Sequence, residues 1–202
     1  MPNWCDTEIN IYCKSKKDAT EVFNTLSEWL NSDLYKKSSF GQEWLGRFLI
    51  QAGITTYDEI DRCDISCRGR IYDLHQEEEI IEIGTETAWC PMLKMWKVIV
   101  DKHFSEKVEN ILYVSKEPGV GLFYTNDEDW AGEYVMDCPD ADLSVYDDNP
   151  TCFICDYLIS FLEEKGICVE SGDFESLEKE LDYLDIDHYS YKFEYVPIED
   201  LD

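Results

Sequence analysis

Basic residues are scarce in this chain: 17 Lys and Arg stand against 45 Asp and Glu over 202 residues, giving a formal net charge of −28 with only three histidines. A field of that sign repels phosphate backbones and anionic headgroups, so direct binding to DNA, RNA or a membrane surface is not expected. Long apolar runs are missing too: no segment reaches the ~18 residues of a membrane span, and the first residues lack a basic-then-apolar leader. No glycine-rich nucleotide loop occurs, since Gly119-Val120-Gly121 is too short to cradle a phosphate. His75, His103 and His188 are scattered outside any His-Glu-x-x-His or triad pattern, which predicts ordinary structural roles. The runs Asp137, Asp140, Asp142 and Asp182, Asp185, Asp187 do not match a calcium loop with its glycine and closing glutamate. Carboxylates are so abundant that no acid–base pair stands out. The expectation is a soluble, non-enzymatic protein that needs no cofactor.

What is present argues for a folded body. A content of 44% hydrophobic and 14% aromatic residues is ample for a packed core. The charge is uneven: residues 126 to 202 hold 24 acidic against three basic residues, a net of −21, while the other 125 supply −7. Disorder is the usual reading of such a segment, yet it also carries Trp130, Tyr134, Phe153, Tyr157, Phe161 and several further aromatics, which predicts a folded acidic surface. Nine cysteines without framework-like spacing fit reduced thiols in a cytoplasm.

Glu8 to Cys13 alternates polar and apolar, predicting a strand that buries Ile9, Ile11 and Cys13. Ser15-x-x-Asp18 then caps a helix whose inner stripe is Ala19, Val22, Phe23, Leu26, Trp29 and Leu30. A short helix over 42–52 ends at Gly53, and 55–76 gives mixed signals. Strand character returns from Glu79 to Thr87. Pro91 suits the first turn of a helix carrying Leu93, Trp96, Ile99 and Val100. A hairpin follows around Glu117-Pro118-Gly119, with Glu133 to Met136 as its extension. Asn149-Pro150 opens a helix closed by Gly166, another helix runs from Phe174 to Asp185, and Tyr189 to Val196 forms a last strand. This order predicts an α+β, ferredoxin-like antiparallel sheet with packed helices over residues 1–136, including a helical insert at about 31–78. Residues 137–202 form an acidic helix-helix-strand extension or small second lobe.

Met1-Pro2-Asn3-Trp4-Cys5 leading into a strand, Thr87-Ala88-Trp89-Cys90-Pro91 before a helix, and Glu117-Pro118-Gly119 in a hairpin carry a resemblance. Over roughly residues 1–136 the chain resembles the YubB or Api92-like family of phage and plasmid proteins. The resemblance implies a ferredoxin-like fold and a mobile-element origin, and no reaction.

The candidate binding residues are acidic. Glu175, Glu178, Asp182 and Asp185 recur at helical spacing beside the apolar Phe174, Leu177, Leu181 and Leu184. A rise of about 1.5 Å per residue sets these carboxylates ~5 Å apart along a helix, the order of phosphate spacing in a nucleic-acid strand. Asp127, Glu128, Asp129, Asp147 and Asp148 make a second patch. The expected partner is a basic, nucleic-acid-binding protein of a bacterial host, such as a restriction or CRISPR-type defence nuclease, whose groove the acidic surface occupies. Trp4, Trp89 and Trp130 are expected in the core or at an interface. Two alternatives remain: a zinc or thiol function, with Cys152 and Cys155 at Cys-x-x-Cys spacing and Cys63 and Cys67 as further thiolates, or an acidic housekeeping domain without such a target.

Overall fold

The larger part of the chain is built outward from β1 (Trp4–Cys13), whose Cys5, Thr7, Ile9, Ile11 and Cys13 are buried while the residues between them face away. The computed structural model describes residues 3–33, 45–54, 56, 58–59, 65, 68–132, 134–138, 143–144, 158–168, 174–186 and 188–200. They form two compact units, Met1–Asp129 with Tyr195–Asp202, and Trp130–Glu194.

In the first unit β1 pairs antiparallel with β3 (Ile80–Ala88) on one side and β4 (Val108–Glu117) on the other. β2 (Gly69–Glu77) pairs with β3, and β5 (Leu122–Thr125) pairs with β4, both antiparallel. With β9 (Glu194–Tyr195) the sheet order is β2-β3-β1-β4-β5-β9. One face is covered by α1 (Lys16–Asn31), α2 (Gly46–Ala52) and α3 (Leu93–His103), whose Val22, Leu26, Phe48, Leu49 and Trp96 share one core with Ile9, Ile11, Ile81, Ile83 and Tyr113 of the strands. The α+β architecture, with helices packed on one face of the sheet, is thus as predicted.

Local chemistry explains the boundaries. Ser15 caps α1, its Oγ accepting the Asp18 N–H at 3.2 Å and donating to the Asp18 carboxylate at 2.5 Å. α1 has no basic residue in its last turn, and the Arg47 guanidinium of α2 donates to the Leu30 carbonyl instead. Lys102 and His103, at the end of α3, reach the Gln51 carbonyl at 2.8 and 2.7 Å. α2 covers only the second half of the helix predicted over 42–52; residues 42–44 lie outside the described set. α3 starts at Leu93, with Pro91 just upstream of the Met92 cap.

β2 has no counterpart in the sequence reading. It is an edge strand with mostly exposed side chains, and a register shift between Ile71 and Asp73 breaks the alternation that marks a strand. On the other side, β4 extends beyond β5, and side chains finish its edge. The Asn126 amide accepts the Tyr113 N–H and donates to the Ile111 carbonyl, both at 2.8 Å. Thr125 Oγ1 donates to the Tyr113 carbonyl at 2.6 Å, and Asn110 Oδ1 accepts the Ile111 N–H at 2.9 Å. Backbone groups that would attract another strand are satisfied in this way.

Two expectations fail in the second unit. The run at Glu133 to Met136 does not extend the β4–β5 hairpin: β6 (Tyr134–Cys138) joins β7 (Leu143–Ser144) and β8 (Tyr189–Lys192) in a separate three-stranded sheet. The last strand is not continuous either. It breaks at Phe193, whose buried ring meets Trp130 edge-on at 5.8 Å and whose carbonyl accepts the Gly132 N–H at 2.9 Å, so β8 and β9 belong to different sheets. α4 (158–164) and α5 (Phe174–Tyr183) bury Leu158, Leu162, Leu177 and Leu181 completely.

α5 is shorter than predicted. Ile186 N–H bonds to the Leu181 carbonyl and Asp185 N–H to the Asp182 carbonyl, both at 3.1 Å, with Asp185 left-handed at φ 55°. The same pair of bonds closes α2 at Gly53 (φ 90°) and α4 at Gly166 (φ 81°), where glycine carries no Cβ penalty. Aspartate is among the few other residues that tolerate this conformation, so a helix-like spacing of acids continues past the point where the helix stops. Among the described residues, no helix is long and apolar enough to cross a membrane.

Candidate functional site

The face of the sheet opposite the helices carries a pattern that the sequence reading passed over. On β1 it presents Trp4, Asp6, Glu8, Asn10 and Tyr12. Registry places Asp6 opposite Glu86, Glu8 opposite Gly84 and Asn10 opposite Glu82 on β3, with Lys116, Val114 and Leu112 of β4 on the other flank. Directly opposed like charges are destabilising, and neighbours offset them here. Tyr72 OH donates to Asp6 Oδ1 at 2.7 Å, Lys116 Nζ lies 3.5 Å from Asp6 Oδ2, and Arg70 Nε donates to Glu86 Oε2 at 2.7 Å. Such exposed pairs add little stability, but they hold each carboxylate in position.

The irregularity in β2 shapes this face further. Both Tyr72 and Asp73 fall against Gly84, and a Cβ at that glycine would collide with the Tyr72 ring. A ring can settle on the sheet only because the side chain beneath it is missing. The result is a cleft of about 260 Å³ lined by Glu8, Asn10, Tyr72, Asp73, Glu82 and Gly84. Tyr72 is 51% exposed, and partial burial, the hydrogen bond to Asp6 and the negative charges of Asp6, Glu8 and Asp73 push its phenol well above the ordinary value. His75 lies 3.2 Å from Asp73 and 3.0 Å from Glu82. The turn after β5 adds Asp127 and Asp129. Together with Glu82 they raise the Tyr12 phenol, behind burial as the main cause. Asp127 N–H bonds to Thr125 Oγ1, and Asp127 Oδ1 accepts the Asp129 N–H, each at 3.0 Å.

The three short motifs, distant in sequence, meet at one corner of the same sheet. Trp89 N–H donates to the Asn3 carbonyl at 3.0 Å with Trp89 left-handed at φ 73°, and Gly119 leaves room for the Asn3 amide, which an added Cβ would strike. The buried Glu117 carboxylate accepts the Gly119 and Val120 N–H groups at 3.0 and 2.6 Å. Beneath, Ser115 Oγ and Thr7 Oγ1 pair at 2.9 Å, and Thr87 Oγ1 donates to the Cys90 carbonyl at 2.8 Å. Trp4 and Trp89 are both about half exposed (48% and 50%). Burial pushes the Cys5 thiol up to about 12 and raises Cys90 above its usual range, so neither presents a thiolate nucleophile at neutral pH. At pH 8 iodoacetamide is therefore expected to label the exposed Cys168 and to spare the buried Cys5 and Cys13, as peptide mass spectrometry would show. Cys5 labelled as fast as Cys168 would mean that this corner is open.

The residues singled out in the sequence are distributed as follows. Glu175, Glu178 and Asp182 lie on α5, and Asp185 lies just beyond it. Glu178 and Asp182 approach Nε2 of His188 at 4.0 and 3.8 Å, while Nδ1 of that ring, 9% exposed, contacts the Ile186 carbonyl at 2.9 Å. Part of the stripe is thereby turned toward a histidine of its own unit. Asp127, Glu128 and Asp129 belong to the first unit, on the turn beside Tyr12. Asp147, Asp148, Cys63, Cys67, Cys152 and Cys155 lie outside the described residues. Among the described residues, no group of three His, Cys, Asp or Glu side chains is arranged to hold a metal. Sequence reasoning missed Asp6, Glu8, Tyr72, Asp73, Glu82 and Glu86. The available signal was the polar half of the β1 alternation.

No family model matches the chain, and no curated protein or solved structure matches it significantly.

Proposed function

We propose that this chain is a non-enzymatic acidic interaction protein of a mobile element, an inhibitor that mimics nucleic acid and occupies the basic groove of a host defence protein of restriction or CRISPR type. The observation that carries this reading is the sheet face opposite the helices, where Trp4, Tyr12 and Tyr72 stand among Asp6, Glu8, Glu82 and Glu86. Nucleic-acid-binding sheets stack bases on aromatic side chains of such a face and surround them with cations. Here carboxylates stand in the place of the cations, which suits the surface to a nucleic acid's partner. The acids of α5 and the net charge of −28 add to the field. Chain order β1-α1-β2-β3-α3-β4, with α2 as an insert and spatial order β2-β3-β1-β4, supports a ferredoxin-like plan for the first unit. That plan and the meeting of the three motifs favour the likeness to the YubB or Api92-like family, with the cytoplasm of the host as its place of action.

The test is competition. Increasing amounts of the protein are titrated into purified host nucleases carrying a fluorescent DNA duplex, at 50 and at 200 mM salt. Displacement of DNA at low salt that weakens about tenfold or more at the higher salt is expected, because counterions screen exposed charges. Displacement that is indifferent to salt, or strongest at high salt, would remove the electrostatic basis of the proposal.

A further inference from the structure

Resting on that reading, we infer that the Tyr72 cleft is the receptor for a single arginine side chain of the basic partner. The cleft's shape and its charge point to the same occupant. The half-exposed Tyr72 ring, lying over Gly84, forms one side, and Glu8, Asp73 and Glu82 line the cleft without any lysine or arginine among them, with His75 3.2 and 3.0 Å from Asp73 and Glu82. The cross-strand neighbours of Glu8 are Gly84 and Val114, neither of which carries a charge to offset it. A guanidinium is flat, stacks on an aromatic face and offers donors in several directions at once, so it can lie on Tyr72 and bond to carboxylates on different strands. An ammonium is a point charge with strong hydration and gains less from the ring. The volume of about 260 Å³ accommodates the planar head and part of its stem. Tyr72 is held for this role by its bond to Asp6, which fixes the ring over the glycine.

The probe is small enough to report a single site. Acetyl-Gly-Arg-Gly-amide is titrated into ¹⁵N-labelled full-length protein and followed by amide chemical shifts, with the lysine tripeptide in parallel. Expected are saturable shifts grouped at Glu8, Asp73, Glu82 and Gly84, with a dissociation constant on the order of 1 mM for the arginine peptide and several-fold weaker for the lysine peptide. Tyr72→Ala, a change at an exposed position, should weaken the arginine response about fivefold or more while the rest of the spectrum stays native. Shifts that saturate at α5, shifts scattered over all acidic surfaces, equal responses to the two peptides, or an unchanged response in Tyr72→Ala would each overturn the assignment. The parent reading is judged separately by the nuclease competition with the unaltered chain, so an inhibitor that displaces DNA without binding arginine in this cleft would lose only the present inference.

Discussion

Replacing Trp96 with alanine is expected to cost about 3–5 kcal/mol of folding stability, a large share of what a domain of this size possesses. The indole is 1% exposed at the centre of the core, with its ring centroid 5.0 Å from that of Phe48. Phe48 in turn meets Trp29, which also contacts His103 and Phe104, so the cavity opens beneath an aromatic layer that joins α1, α2 and α3. Trp96→Phe should be far milder. The buried Nε1–H has no acceptor among the described residues, and a phenyl ring removes that unmet donor along with some volume. Urea denaturation of the two variants, compared at equal slope, distinguishes these outcomes. A phenylalanine variant as damaged as the alanine one would show that the indole N–H has a partner.

Alkali should unfold the protein through its buried thiols. Cys5 is fully buried, and burial moves its ordinary value of 9.0 up to about 12, while Cys13 is moved to about 11. Between these limits the unfolded chain has released the proton that the folded chain keeps. The folded state therefore binds more protons, and stability falls as pH rises. The contribution is complete below pH 9 and is lost from 9 to about 12 for Cys5 and from 9 to about 11 for Cys13, at up to roughly 1.4 kcal/mol per pH unit for each thiol. From pH 9 to 11, Cys5 alone should remove about 2–3 kcal/mol. Burial also raises Tyr113, which adds in the same direction at higher pH. Melting temperatures measured from pH 8 to 11 should decline steeply in the parent and less steeply in Cys5→Ala, whatever the variant's stability at neutral pH. Identical slopes would show that the thiol ionises in place.

Much of the first unit was legible because its signals are local. The alternation of Ile9, Ile11 and Cys13 fixes the inner face of β1, and the Ser15–Asp18 cap fixes the start of α1. β2 was illegible because an edge strand has no second buried face, and the shift after Ile71 destroys the period of two. The break at Phe193 was illegible for another reason: pairing of β8 with β6 and placement of β9 beside β5 are tertiary choices that the aromatic run cannot encode. The acids of α5 were found through helical spacing, which cannot register that Asp185 has already left the helix. Asp6 and Glu8 were overlooked because a polar outer half is what any half-buried strand shows. They become a site only beside Tyr72 and Glu82, which registry supplies.

The Val196 N–H donates to the Thr125 carbonyl at 2.7 Å, and Tyr113 OH donates to the Val196 carbonyl at 2.8 Å. The polypeptide thus leaves the first sheet and rejoins it one hydrogen bond away, and everything from Trp130 to Glu194 is an excursion between adjoining doorposts. The entropy cost of closing such an excursion rises only slowly with its length, by about 0.6 kcal/mol for each doubling. Such a cassette can be exchanged, lengthened or enriched in acid while the strand registry of its host is preserved.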